Sequence, residues 1–159
     1  MLVLRYVAVV AIAVWVGGLI ALGGIAAPSA FETLSGVPEG RGLAGAVFGE
    51  ALRRFHLVTY GCGALIVASL LIRAVLGPRP RRFALRMVLA AMMLAASASV
   101  GLVIAPEIRA EQAAGRTPST LPEGDPARAR FGRLHGLSST LELIPVLAGL
   151  ALLFLELRE

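Results

Sequence analysis

Residues 6–31 read YVAVVAIAVWVGGLIALGGIAAPSAF, 26 positions from Tyr6 to Phe31 without an acid or an arginine. A helix of about 20 apolar residues crosses the hydrocarbon core of a bilayer, so this stretch is long enough to span one. Three more runs follow: Leu57 to Ile72, Met87 to Pro106, and Gly136 to Phe154, the last broken only by Glu142. Four runs predict four transmembrane helices in a single all-α membrane domain, residues 1–159. TM1 is expected at about 6–28, TM2 at 56–75, TM3 at 85–106 and TM4 at 130–156. Between them lie an outer loop with an interfacial helix (29–55), an arginine-rich loop (76–84) and a second outer loop (107–125). Composition agrees: 57% of residues are hydrophobic and the mean hydropathy is +0.82, against about 45–50% apolar residues in soluble domains.

The runs come in pairs. Gly24-Ile25-Ala26-Ala27-Pro28 is followed by Arg54-Phe55-His56, and Ile104-Ala105-Pro106 by Arg133-Leu134-His135. Pro to His is 28 residues in the first half and 29 in the second. A spacing this regular points to a duplicated helical hairpin, TM1–TM2 and TM3–TM4. The repeat also argues against reading TM1 as a cleaved signal peptide. TM1 corresponds to TM3, and its run exceeds the roughly 7–15 apolar residues of such peptides.

The chain has no lysine, so arginine sets the orientation. Arg73, Arg79, Arg81, Arg82 and Arg86 cluster between TM2 and TM3 without a neighbouring acid. The positive-inside rule then expects this loop and both termini in the cytoplasm. Arg53, Arg54, Arg130 and Arg133 pull the other way, but they lie among Glu32, Glu39, Glu50, Glu107, Glu111, Glu123 and Asp125. With a net charge of +5, the arginine-rich loop should attract anionic lipid at the inner leaflet. Nucleic acid is not expected as a partner, because no basic face with interleaved aromatics lies outside the membrane runs.

In the first outer loop, Leu43, Val47, Ala51, Leu52 and Phe55 recur at helical spacing. They predict an amphipathic helix over 42–56 at the interface, running into TM2. Asp125-Pro126 reads as a helix start and Gly77-Pro78-Arg79-Pro80 as a helix stop, with 115–124 a flexible stretch between helices. Small residues form a stripe on TM1 (Ala13, Gly17, Ala21, Gly24) and another on TM2 (Gly61, Ala64, Ala68). Close packing inside the bundle is the expected use, with a homo-oligomer contact as the alternative. Trp15, deep within TM1, is expected to pack rather than to anchor at an interface.

Helical spacing groups His56, Thr59, Tyr60 and Gly63 on TM2, and His135, Ser138, Ser139 and Glu142 on TM4. Polar groups at membrane depth are costly and should turn inward and find partners. If the repeats share an orientation, His56 and His135 lie at similar depth and can contribute to one site. They can instead hydrogen-bond loop carbonyls and set the angle at which each helix enters. Glu142 is the sharper anomaly, because a carboxylate there costs about 2.5–3.5 kcal/mol on insertion scales. It can be a protonated structural hydrogen-bonder, the partner of an interfacial arginine, or a proton or cation site.

Other chemistry is not signalled. Cys62 is the single cysteine, so no disulfide can form within the chain. Met87, Met92 and Met93 read as apolar filler. The chain has no phosphate loop, nucleophile elbow, zinc motif or CxxC, which points away from an enzyme.

Trp15-Val16-Gly17-Gly18, Ala27-Pro28 followed by Phe31, Phe48-Gly49 and His135-Gly136-Leu137-Ser138-Ser139 resemble a bacterial membrane domain-of-unknown-function family related to eukaryotic transmembrane protein 205. The resemblance covers nearly the whole chain and implies four transmembrane helices in a bacterial plasma membrane. In that family an Asn follows the TM4 His-Ser motif. Here Glu142 occupies the region, which changes the charge of any shared site. The resemblance implies no activity.

Three functional readings follow. The leading one is a small-solute, cation or proton binding or transport module, with a polar site between TM2 and TM4. It would use His56, Thr59, Tyr60, His135, Ser138, Ser139 and Glu142, and an oligomer would supply the path. The second is a haem-binding or redox membrane protein with His56 and His135 as ligands; a metal ion, if bound, would use the same two residues. The third is an assembly component without a ligand.

Overall fold

The computed structural model describes residues 1–114 and 121–158, which form helices and short turns with no strand among them. Four continuous helices are long and apolar enough to cross a membrane: Leu2–Thr33, Gly40–Leu76, Phe83–Ala113 and Pro126–Leu157. They are TM1 to TM4 of an all-α integral membrane protein. TM1 comprises α1 (Leu2–Ala21) and α2 (Ala27–Thr33), and TM2 is α3 (Gly40–Leu76). TM3 comprises α4 (Phe83–Ala98) and α5 (Ala105–Ala113), and TM4 is α6 (Pro126–Leu157).

TM1 and TM3 change helical pitch at the same place. Leu22–Ala26 joins α1 to α2 as a π-helix, and Ser99–Ile104 joins α4 to α5 in the same way. In the first the Ala27 N–H bonds the Leu22 carbonyl, and in the second the Ala105 N–H bonds the Val100 carbonyl. Pro28 and Pro106 follow at once. A proline has no N–H to donate and its ring crowds the carbonyl four residues back, so widening the turn ahead of it keeps the helix continuous. The repeat seen in sequence is thus a repeat in backbone geometry.

The helix ends follow local chemistry. The Asp125 carboxylate accepts from the Ala127 N–H at 2.7 Å and Pro126 takes the first helical position, so TM4 starts well before its apolar run. TM2 stops at Leu76, with Gly77 extended before Pro78. At the start of α3, Gly40 lies against the Leu34 backbone so closely that a β-carbon there would collide with it. The stretch 115–124 lies partly outside the described residues, which omit 115–120.

Each helix packs on its neighbours in sequence, and TM4 closes the ring on TM1, so TM2 and TM4 face each other across the bundle. The core contains Ile12, Trp15, Val16 and Leu19 of TM1, Ile66 and Leu70 of TM2, Met93 of TM3, and Ala148 and Leu152 of TM4. Trp15 is fully buried. Val10, Ile20, Leu65, Val88, Leu102, Leu143 and Leu147 point outward, an apolar exterior suited to lipid.

One expectation is corrected. The small-residue stripes face outward: Ala13, Gly17, Ala21, Gly24, Gly61, Ala64 and Ala68 are all exposed. The buried faces of TM1 and TM2 carry large side chains instead, Ile12, Trp15 and Leu19 on one and Ile66 and Leu70 on the other. Close backbone approach falls at Gly18 under Phe55, Gly63 under Leu94 and Trp15, and Gly149 under Val16 and Met93. The segment 42–56 is helical and runs into TM2, as expected, within one 37-residue helix, about 55 Å long. Its Leu43 and Val47 are exposed, while Ala44 and His56 are its buried positions.

Candidate functional site

Ionisable side chains meet inside the bundle at two levels. Call the end holding the chain termini and the TM2–TM3 connection the terminal end, and the opposite one the loop end. Nearer the loop end, His56 of TM2 reaches across to Glu142 of TM4, with Nε2 and Oε1 at 2.9 Å. The imidazole is 3% exposed and the carboxylate 17%. Which atom carries the proton depends on the tautomer, since a neutral ring can donate or accept at Nε2.

TM3 completes the environment. Tyr60 lies one turn after His56, with ring centroids 6.2 Å apart and 25° between planes. Its hydroxyl donates to the Ser97 carbonyl at a long 3.4 Å. Gly101, in the π-helix of TM3, faces both rings, and a β-carbon there would collide with the Tyr60 hydroxyl and press on the His56 ring. The repeat-related Gly23 in TM1 has nothing comparable within 4 Å. Only one of the two π-helices therefore holds a polar cluster.

Among the described residues, His56 Nδ1, Glu142 Oε2, Ser97 Oγ and, in the core, Trp15 Nε1 are buried with no hydrogen-bond partner. Buried polar atoms are seldom left unsatisfied, because each costs about 1–3 kcal/mol. Around the His56–Glu142 pair these atoms keep hydrogen-bonding capacity that the described residues do not use.

The other sequence-derived candidates divide. The buried Thr59 hydroxyl donates to the His56 carbonyl at 2.9 Å. Ser139 donates to the His135 carbonyl, also at 2.9 Å, so both hydroxyls serve their own helices. Ser138 is buried and Ser139 exposed. His135 is exposed, seven residues before Glu142 on TM4, about 10 Å of helix rise. Among the described residues no hydrogen bond or ring contact involves its imidazole. His56 is turned to Glu142. Among the described residues no group of three or more His, Cys, Asp or Glu side chains is placed to hold a metal ion.

Near the terminal end, Glu156 is 1% exposed and gathers all four helices. Arg73 of TM2 donates to Oε2 at 2.8 Å, and Arg86 of TM3 to Oε1 at 2.6 Å. Arg5 of TM1 donates to the Glu156 carbonyl, and Arg86 also to the Leu155 carbonyl, both at 2.8 Å. This corrects the reading of Arg73 and Arg86 as loop arginines without an acid: both are buried within helices and share Glu156. Glu142 and Glu156 lie 14 residues apart on TM4, nearly four turns, so they fall on one face about 21 Å apart. Trp15, Ile66, Met93 and Leu152 fill the apolar interior.

The sequence reading overlooked Ser97, Gly101 and Glu156. Glu156 carried a signal: an acid near a helix C-terminus opposes the macrodipole and asks for a partner.

Residues 10–117 match the family described as a domain of unknown function, DUF4149, and the chain belongs to that family. The match spans TM1 to TM3 and includes His56, Tyr60, Arg73, Arg86, Ser97 and Gly101; TM4, with Glu142 and Glu156, lies beyond it. No curated protein and no solved structure matches the chain.

Proposed function

We propose that this protein is a proton- or cation-binding module of the bacterial plasma membrane, with the His56–Glu142 pair as its binding centre. One observation carries the reading: two ionisable groups from helices on opposite sides of the bundle meet at 2.9 Å, and each keeps a buried polar atom without a partner among the described residues. Isolated charges at such depth are costly, so functional pairing is the usual reason for keeping them. An imidazole and a carboxylate in contact can hold one proton between them and accept another. Tyr60 and Ser97 extend the polar environment on one side.

A four-helix unit holds one such centre among its described residues, and transport would use an assembly of copies; the outward small residues of TM1 and TM2 favour close approach. Charge supports a cytoplasmic terminal end. The segments 1–5, 73–86 and 156–159 carry seven arginines and two acids, whereas 32–54 and 107–142 carry eight of each. A relation to transmembrane protein 205 rests on the ordered motifs from Trp15 to Ser139. The haem alternative gains no support from the exposed position of His135.

The test is ion flux in proteoliposomes under an imposed pH or cation gradient. Wild type should dissipate one of these gradients at least tenfold faster than Glu142→Gln or His56→Asn of equal folded content. No flux from wild type, together with no proton uptake by the purified protein, would remove this reading. Substitutions that lower stability alone would favour a role in assembly.

A further inference from the structure

We propose that a cleft at the terminal end binds a phosphate group, presented by an anionic phospholipid. The site is independent of the His56–Glu142 centre, and it gives the general attraction to anionic lipid a defined seat. The cleft has a volume of about 210 Å³ and is lined by Arg81, Arg82, Arg86, Phe154, Leu155 and Arg158. The guanidiniums of Arg82 and Arg158 stand beside Phe154 and Leu155, and the engaged Arg81 and Arg86 add positive charge to this amphiphilic lining. Guanidinium groups suit phosphate oxygens, which they hold through paired N–H donors.

Position and order strengthen the case. Arg86 is fixed in the wall by Glu156 and the Leu155 carbonyl. Arg158 lies over the Phe154 ring, 4.5 Å from its centroid, which restrains it beside the cleft. The helix α4 begins here at Phe83 without a side-chain cap, so its first N–H groups add to the positive field. The segments flanking this end carry the whole +5 of the chain, seven arginines against Glu156 and Glu159. Exposed Phe154, Leu150 and Leu147 continue the surface of TM4 from the cleft along the apolar exterior. A phosphodiester can therefore sit among the arginines while its acyl chains run along TM4. Free phosphate offers the same oxygens without the chains.

Two arginines can be changed without touching the Glu156 centre. The experiment compares wild type, Arg82→Gln/Arg158→Gln, and Arg53→Gln/Arg54→Gln at the loop end. Binding is read by native mass spectrometry and thermal shift in a neutral detergent, with added phosphatidylglycerol, phosphatidylcholine or inorganic phosphate. Wild type and the loop-end variant should retain phosphatidylglycerol, whereas Arg82→Gln/Arg158→Gln should bind it at least tenfold more weakly. Phosphatidylcholine should be retained poorly by all three. An equal response to inorganic phosphate, lost in the same double variant, would keep the phosphate site and assign it to a soluble ligand. Unchanged phosphatidylglycerol binding in Arg82→Gln/Arg158→Gln, or an equal loss in the loop-end variant, would overturn the proposal.

Discussion

Replacing Glu142 with Ala removes the carboxylate opposite His56 and leaves the ring in a buried setting with neither nitrogen satisfied by the protein. Hydrogen bonds involving charged partners contribute about 1.5–3 kcal/mol, so Glu142→Ala and His56→Ala should each lower the unfolding free energy in detergent by about that much. The double variant should lose less than the two single losses together, because the pair is one interaction. Additivity within about 0.5 kcal/mol would mean that the two residues are not coupled. Glu156→Ala should be more damaging, about 3–5 kcal/mol, since Arg73 and Arg86 both lose a buried carboxylate they share. The same unfolding measurement ranks the two centres, and a Glu156→Ala protein as stable as Glu142→Ala would contradict the burial argument. In the sequence Glu142 stood out as an acid inside an apolar run, and His56 stood out through the repeat. Their pairing was not legible. Helical spacing reports which residues share a face on one helix, and these two lie 86 positions apart in the chain, brought together by tertiary packing.

The element scale shows how one repeat yields two different halves. Four apolar runs, Asp125-Pro126 and Gly77-Pro78 made the helices and several of their ends readable. The π-helices were not, although Ala27-Pro28 and Ala105-Pro106 marked their positions, because a proline can also kink or end a helix. Nor could the sequence show which side of TM1 faces inward. Small residues lie on several faces of that helix, and side-chain volume at Ile12, Trp15 and Leu19 decides which one the core accepts. The π-helices provide a matched comparison. Gly101→Ala places a methyl against Tyr60 and His56, and overpacking of this kind costs about 1–3 kcal/mol. Gly23→Ala places the same methyl in open space and should change stability by no more than about 1 kcal/mol, with the helix preference for Ala favouring a gain. Thermal unfolding of the two variants side by side is the check. Equal destabilisation would mean that Gly101 matters for its backbone freedom and not for the space it leaves beside the rings.

For the whole molecule, the distribution of arginine makes a statement about orientation that neither helix lengths nor packing can make. Three exposed arginines, Arg79, Arg81 and Arg82, lie together at the TM2–TM3 turn, while the TM1–TM2 connection, residues 34–39, carries no arginine and one acid, Glu39. Moving basic loops across a membrane is disfavoured, so the terminal end should stay in the cytoplasm. Cys62 is the single cysteine and is buried, which leaves the surface clear for labelling. In cells carrying Ser35→Cys, a membrane-impermeant maleimide should react from outside. In cells carrying Arg79→Cys it should react only after permeabilisation. The opposite pattern would invert the topology and place the buried arginine pair around Glu156 on the outer side. Substituting Arg79, Arg81 and Arg82 together by Gln should weaken the asymmetry without disturbing Arg73 or Arg86, whose contacts with Glu156 lie inside the bundle. Mixed labelling in that variant would show that the exposed turn arginines direct insertion. Unchanged labelling would transfer that role to Arg5, Arg73, Arg86 and Arg158 at the same end of the helices.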